Sequence, residues 1–255
     1  MGVNKITIDG VTKINLLNTD IETSADIPVG KYGYLKTGER VLGTGEIMSN
    51  PLSGKILAVT GDSICEGAGY TGGYAGIIGD EQGMTVQNIA QGGGRIVSSS
   101  GIFGIGASIP NLRSDADYVI LEGGGNDAGN AVTVGTLTSG YSDTLNTNTF
   151  AGAFEDMLKS AITRFPNKKL GYVMIHKCFP GFTSLSGDDA YYNIAKSACE
   201  KWGIPFLDLS ILVPPLADVS ALAQAYTQDG YGVHPNEQGY RLFYVPKITA
   251  WMKGL

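Results

Sequence analysis

Residues 55–63, KILAVTGDS, decide how this chain folds. An apolar run from Ile56 to Val59 is followed, after one threonine, by glycine, aspartate and serine, so a buried strand is expected to end in a tight turn. Aspartate and serine are favoured where a helix begins, because their side chains accept hydrogen bonds from unpaired backbone N–H groups. The stretch therefore predicts a strand, a turn and a helix start, the first half of a βαβ unit.

The same alternation of apolar runs and helical stretches continues to the end of the chain. Strands are predicted at residues 55–60, 84–89, 117–121, 170–176 and 205–209. Helices are predicted at residues 73–81, 149–165, 188–202, 217–226 and 236–252. Such alternation gives a parallel sheet whose right-handed crossovers cover both faces. The predicted fold class is α/β, a three-layer α/β/α sandwich with a parallel sheet of about five strands.

Residues 1–50 have a different pattern. Short runs of alternating polar and apolar residues, such as Lys5-Ile-Thr-Ile-Asp9, are separated by glycines, which is typical of short strands. We therefore expect a small β-rich appendage at 1–50 and an α/β domain at 51–255. Residues 30–46, GKYGYLKTGERVLGTGE, also resemble N-terminal segments of phage-type tail and surface proteins, although an ordinary hairpin extension is the favoured interpretation.

Composition argues against several classes of function. A net charge of −6 without a cluster of lysine or arginine offers no surface to nucleic acid, so a neutral small-molecule or carbohydrate substrate is expected. Three scattered cysteines and two histidines have no metal-site spacing, so neither metal nor cofactor is expected. No apolar run is long enough to predict a membrane span. No signal peptide is visible, which favours a cytoplasmic protein, or an extracellular one that is phage-like or already trimmed. Oligomeric state is left open.

Three glycine-containing motifs follow the first three predicted strands. They are GDS ending at Ser63, QGG ending at Gly93, and GGGND containing Asn126. The carboxyl ends of parallel strands share one edge, where open α/β sheets bind ligands. Ser63 is predicted to be a nucleophile there. The backbone N–H groups of Ser63 and Gly93 and the Asn126 amide are predicted to stabilise an oxyanion, although Gly92 and Gly94 flank Gly93 closely.

His234 is the candidate general base. It lies in DGYGVHPN, residues 229–236, before the last predicted helix, and imidazoles exchange protons near neutral pH. His176, at the end of the fourth predicted strand, is the competitor, although a histidine closing an apolar strand is more often structural. Either a glycine-rich bulge brings Asp229 to the imidazole, or a backbone carbonyl orients a Ser–His dyad. The two glycines favour Asp229.

Together these motifs resemble those of the SGNH or GDSL hydrolases. GDS at 61–63, NIAQGG at 88–93, GGND at 124–127 and HPN at 234–236 follow in the family's order. The resemblance implies a flavodoxin-like fold and a serine esterase that removes acetyl or another short acyl group from a carbohydrate through an acyl-enzyme. One departure concerns the aspartate, which the family often places three residues before the histidine, where this chain has Tyr231. The alternative is a phage-type carbohydrate-binding module with a weakly active fold of this kind.

Overall fold

The computed structural model describes residues 50–178 and 189–255, together with short N-terminal stretches at 5–8, 11–15, 25, 27, 32–35 and 40–42. The chain divides into two compact units, Met1–Pro51 and Leu52–Leu255. The first unit contains two antiparallel strand pairs: β1 (Lys5–Ile8) with β2 (Val11–Asn15), and β3 (Tyr32–Tyr34) with β4 (Arg40–Leu42). The rest of the phage-like segment 30–46, apart from Leu35, lies outside the described residues.

A five-stranded parallel sheet forms the centre of the second unit. Its strands are β5 (Ile56–Thr60), β6 (Thr85–Asn88), β7 (Tyr118–Glu122), β8 (Lys169–Met174) and β9 (Phe206–Asp208). They lie in the order β6-β5-β7-β8-β9, and all neighbours are parallel. The predicted α/β class and sheet are therefore confirmed. The strand order reverses between β5 and β7, which places a crevice at the carboxyl ends of those two strands.

Four longer helices cover the sheet. They are α2 (Gly73–Gln82), α5 (Phe150–Arg164), α6 (Ala190–Trp202) and α10 (Val245–Gly254). Helix α2 packs against α10, and α5 packs against α6. On β8 the Tyr172 ring meets the Phe154 ring of α5 edge-on, with centroids 5.0 Å apart. Every residue of β7 is buried, as expected for a central strand covered on both faces.

The remaining helices are short. They are α1 (Ser63–Glu66), α3 (Ile105–Ser108), α4 (Gly125–Gly129), α7 (Leu209–Leu212), α8 (Ser220–Tyr226) and α9 (Glu237–Gly239). The single helix predicted at 236–252 is divided into α9, a π-helical turn at Tyr240–Tyr244, and α10, with a proline in the first turn of α10. Residue 188 of the predicted helix 188–202 lies outside the described residues. Among the described helices, none is long and apolar enough to cross a membrane.

Candidate active site

Ser63 is the first residue of α1 and lies directly beyond β5. The Asp62 carboxylate caps this helix, accepting a hydrogen bond from the Ile64 N–H at 3.0 Å. Gly61 allows the turn to be tight, because a Cβ at this position would lie 2.6 Å from Cys65 Cβ and 2.8 Å from Glu122 Oε2. The serine is therefore held at the reversal point of the sheet by a turn that excludes a larger residue.

A line of hydrogen bonds connects Ser63, His234 and Asp229. Ser63 Oγ lies 2.9 Å from His234 Nε2, and His234 Nδ1 lies 2.9 Å from Asp229 Oδ2. A carboxylate oxygen only accepts, so Nδ1 carries the proton and Nε2 is free to accept the serine hydroxyl. The His234 side chain is 31% exposed, so a substrate can reach the line from solvent.

The Asp229 carboxylate reaches His234 across the five-residue spacing because the intervening loop folds around it. Oδ1 accepts from the backbone N–H groups of Tyr231 and Gly232 at 2.8 and 3.0 Å, and Oδ2 accepts from the His234 N–H at 2.7 Å. Gly230 and Gly232 have φ values of +69° and +90°, which glycine adopts without strain. The left-handed glycines thus bring the carboxylate, rather than a carbonyl, to Nδ1.

The base of this loop is closed by strand-like pairing. Thr227 and Pro235 form an antiparallel bridge, and the Gln228 N–H donates to the His234 carbonyl at 2.9 Å. Burial raises the pKa of Asp229, but the N–H groups of Tyr231, His234 and Val233 lower it, and the net pKa lies below the ordinary value. The carboxylate is therefore held in its charged form beside the imidazole.

One of the predicted oxyanion donors, the Gly93 N–H, lies in a turn after β6. Gly93, with φ of +72°, is part of a turn in which the Gly94 N–H donates to the Gln91 carbonyl at 3.0 Å. The Gly92 N–H donates to Glu66 Oε2 at 2.9 Å. Within the described chain, the Gly93 N–H donates to no protein group, which distinguishes it from its two neighbours. Of the three glycines, Gly93 is the one whose N–H remains available to a ligand.

Asn126 lies on α4 and connects the third motif to the same turn. Its Nδ2 donates to the Gly94 carbonyl at 3.0 Å, which leaves its second amide hydrogen for another acceptor. The Ser63 N–H, in the first turn of α1, also has no acceptor among the described residues. The structure thus brings Asn126 into contact with the Gly93 turn. The backbone N–H groups of Ser63 and Gly93 both lack a protein acceptor among the described residues.

Asp127 has a role that the sequence motif did not reveal. Its buried carboxylate accepts from the backbone N–H groups of Ile96 and Val97 at 2.9 and 3.0 Å, and so binds the segment that follows the Gly93 turn. Burial raises the pKa of Asp127 to about 6, against the lowering effect of those two hydrogen bonds. The position of Asp127 beside Asn126 in GGND was the signal available from sequence.

Two buried acids lie at the nucleophile turn: Asp62 is within it and Glu122 packs against it. Burial raises the pKa of Asp62 to about 6, and burial together with the charge of Asp62 raises the pKa of Glu122 well above its ordinary range. Glu122 ends β7, and its raised pKa favours the protonated form of its carboxyl. Among the described residues, no group of three or more histidine, cysteine, aspartate or glutamate side chains could hold a metal ion.

His176, the competing base, lies elsewhere in the site. It is fully buried, and its Nδ1 and Nε2 lie 2.5 Å from Tyr244 Oη and 2.7 Å from the Gly232 carbonyl oxygen. Burial lowers the pKa of His176 to about 4, so the ring is neutral at the pH where most proteins work. Both ring nitrogens of His176 face groups other than Ser63. His234 is therefore the imidazole that contacts the Ser63 hydroxyl.

In this site a serine hydroxyl contacts an imidazole, and a carboxylate orients that imidazole, at the reversal point of a parallel sheet. This arrangement is that of a serine hydrolase. Residues 59–242 match the model of the GDSL-like lipase/acylhydrolase family. The chain belongs to this family, and the predicted membership of the SGNH or GDSL hydrolases is confirmed.

Solved structures share the fold at low sequence identity. A protein from Lactobacillus plantarum is 23% identical, with a TM-score of 0.67 over 79% of this chain and 98% of the other. TesA is 16% identical, with a TM-score of 0.55 over 78% of this chain and 99% of the other. The psychrotrophic esterase EstA from Pseudoalteromonas sp. is 12% identical, with a TM-score of 0.52 over 78% of this chain and 99% of the other. No curated protein matches this chain in sequence.

Proposed function

We propose that this protein hydrolyses carboxylic esters through an acyl-enzyme on Ser63, and that its substrates carry acetyl or another short acyl group on a carbohydrate. The observation that carries the proposal is the line of two 2.9 Å contacts, from Ser63 Oγ to His234 Nε2 and from His234 Nδ1 to Asp229 Oδ2. A serine hydroxyl needs such a base to become a nucleophile at neutral pH. Family membership supports the same chemistry.

In the first half of the reaction, His234 Nε2 takes the Ser63 proton while Oγ attacks the acyl carbon. The N–H groups of Ser63 and Gly93 and the Asn126 amide bind the oxyanion, and Asp229 stabilises the imidazolium. His234 then donates its proton to the departing alcohol, which leaves Ser63 acylated. In the second half, His234 deprotonates a water that attacks the acyl carbon, and the carboxylic acid leaves as Ser63 regains its proton.

The exposure of the site and the net charge of the chain both favour a substrate with a small acyl group on a bulky neutral alcohol. Gln91, Gly92 and Gly93 are exposed, so the turn beside Ser63 opens to solvent. An open site accommodates a polymer such as a polysaccharide, and a short acyl group needs no deep tunnel. The net charge of −6 disfavours polyanionic alcohols.

Hydrolysis of p-nitrophenyl acetate by the wild type and by Ser63→Ala tests the chemistry. We expect the variant to lose at least about 10³-fold in kcat, because the nucleophile is absent. Ser53→Ala, an exposed serine before the amino-terminal end of β5, is the matched control and should keep full activity. Equal rates for wild type and Ser63→Ala, with no labelling of Ser63 by a fluorophosphonate, would contradict the proposal.

The substrate class is tested separately with acetylated xylan and p-nitrophenyl octanoate. We expect acetate release from the polysaccharide to exceed hydrolysis of the octanoate. Polysaccharide binding without acetate release, unchanged in Ser63→Ala, would instead favour the carbohydrate-binding module.

A further inference from the structure

A second set of hydrogen bonds lies behind the loop that carries Asp229. His176 follows β8 and Tyr244 ends the π-helical turn, and both side chains are fully buried. Tyr244 Oη lies 2.5 Å from His176 Nδ1, and His176 Nε2 lies 2.7 Å from the carbonyl oxygen of Gly232. His176 thus contacts the loop backbone in the middle of its span, and Tyr244 contacts His176 from behind.

The partners determine where each proton lies. The Gly232 carbonyl only accepts, so Nε2 of His176 carries the ring proton and Nδ1 is bare. The Tyr244 hydroxyl therefore donates to Nδ1, and its oxygen accepts from the His176 backbone N–H at 3.4 Å. One neutral tautomer satisfies all these contacts, so the imidazole is fixed as a donor to the loop.

The carbonyl that His176 binds belongs to the same peptide unit as the Val233 N–H. In a trans peptide the C=O and N–H groups point in opposite directions. The Val233 N–H donates to Asp229 Oδ1 at 3.3 Å, and the preceding Gly232 N–H donates to the same oxygen at 3.0 Å. Holding the carbonyl towards His176 therefore aims the N–H towards the Asp229 carboxylate.

Gly232 gives this peptide little freedom to shift. With φ of +90° it has a backbone conformation that other residues rarely adopt, and an added Cβ would collide with the Ala217 backbone. One side of the peptide is thus packed against the chain at Ala217, and its carbonyl is bound by a buried imidazole. Hydrogen bonds in such a chain also strengthen one another, since a carbonyl that accepts makes its peptide N–H a better donor.

We propose that His176 and Tyr244 are positioning residues, which orient the Gly232–Val233 peptide so that the loop presents Asp229 to His234. The inference rests on the proposed function, because it concerns how the base of that reaction is oriented. It also accounts for how a loop longer than the family pattern holds its carboxylate at the imidazole. Neither residue contacts Ser63, so their effect on the reaction passes through Asp229.

Kinetics of His176→Phe and His176→Gln on p-nitrophenyl acetate test this role. We expect His176→Phe to lower kcat about tenfold to a hundredfold with KM nearly unchanged, because a misplaced catalytic group slows the chemical step more than binding. The acid limb of kcat/KM should move to lower pH, because the carboxylate no longer stabilises the protonated His234 ring. The His176→Gln amide can still donate to Gly232 and should restore part of kcat.

Tyr244→Phe keeps the aromatic ring and removes only the hydroxyl, so it decides the question if His176→Phe does not fold. It should lower kcat severalfold and shift the pH profile in the same direction. Tyr192→Phe is the matched control, because it removes a hydroxyl that donates to Asp208 Oδ2 at 2.7 Å, and it should leave the pH profile unchanged.

The Asp229→Asn background separates this role from a general loss of stability. If His176 acts through Asp229, His176→Phe should add little to the kcat loss of Asp229→Asn, whereas independent effects would multiply. Multiplying effects, or an unchanged kcat and pH profile in the folded His176 and Tyr244 variants while Ser63→Ala is inactive, would overturn the inference. Full activity of Ser63→Ala would instead overturn the proposed function.

Discussion

Replacing Asp229 with asparagine tests the proposed base most directly. In the wild type, Oδ2 accepts from the His234 backbone N–H at 2.7 Å and faces Nδ1 at 2.9 Å, while Oδ1 accepts from the N–H groups of Tyr231 and Gly232 at 2.8 and 3.0 Å. An asparagine has one amide oxygen and one NH₂ group. Whichever way the amide is turned, its NH₂ group faces at least one backbone N–H, so hydrogen bonds are lost.

The larger effect concerns the position of the imidazole proton. If the amide oxygen stays with Tyr231 and Gly232, the NH₂ group faces Nδ1 and forces the ring proton onto Nε2, where it blocks transfer from Ser63. We expect kcat to fall about 10³–10⁴-fold, as in other triads that lose the carboxylate, which raises the barrier by about 4–5.5 kcal/mol. The KM should change little, because Asp229 is not expected to contact substrate. Stability should fall by about 1–3 kcal/mol for the mismatched donors.

The assay is the initial rate of p-nitrophenyl acetate hydrolysis across pH, with urea unfolding measured in parallel. Asp208→Asn is the matched control, because Asp208 Oδ1 also accepts a backbone N–H, from Ser210 at 3.0 Å. Among the described residues its carboxylate binds the Tyr192 and Ser210 hydroxyls and no imidazole. This control should lose stability and keep kcat. If Asp229→Asn retains kcat within about tenfold of wild type while His234→Ala is inactive, the reasoning fails and the site is a Ser–His dyad.

Asn126→Ala should lower kcat about 10²–10³-fold at similar KM, because one oxyanion donor is lost. A wild-type kcat in this variant would show that Asn126 does not stabilise the oxyanion. Glu122→Gln should raise stability more at about pH 8 than at about pH 5. Burial raises the pKa of Glu122 far above 4.5, so the native state keeps a proton that the unfolded chain releases as pH rises, and wild-type stability declines across that interval. Urea midpoints measure this, and equal gains at both pH values would contradict it.

The sheet and the nucleophile turn were predictable because their signals are local. The central strands β5 and β7 are compact apolar runs, and the motifs at Ser63, Gly93 and Asn126 follow β5, β6 and β7 in turn. Short helices such as α3 and α7 were missed, because four residues are too few to show a helical period.

Contacts made across long sequence separations could not be predicted in the same way. His176 and Tyr244 are 68 residues apart, and the backbone groups that Asp127 binds are 30 and 31 residues away. Asp229 was an intermediate case. Its glycines indicated that a bulge was possible, but the bridge between Thr227 and Pro235 that closes the loop has no sequence signature of its own.

The bridge between Thr227 and Pro235 fixes the backbone next to His234 at the end of the loop that carries Asp229. We expect insertions and deletions inside the bridge to change the path of the loop more than the position of the imidazole, which is next to the closing pair. Relatives that differ in this spacing are then expected to share one arrangement of side chains. A search pattern that fixes the aspartate three residues before the histidine would pass over chains built like this one. A pattern that allows left-handed glycines between an acid and a histidine would retain them.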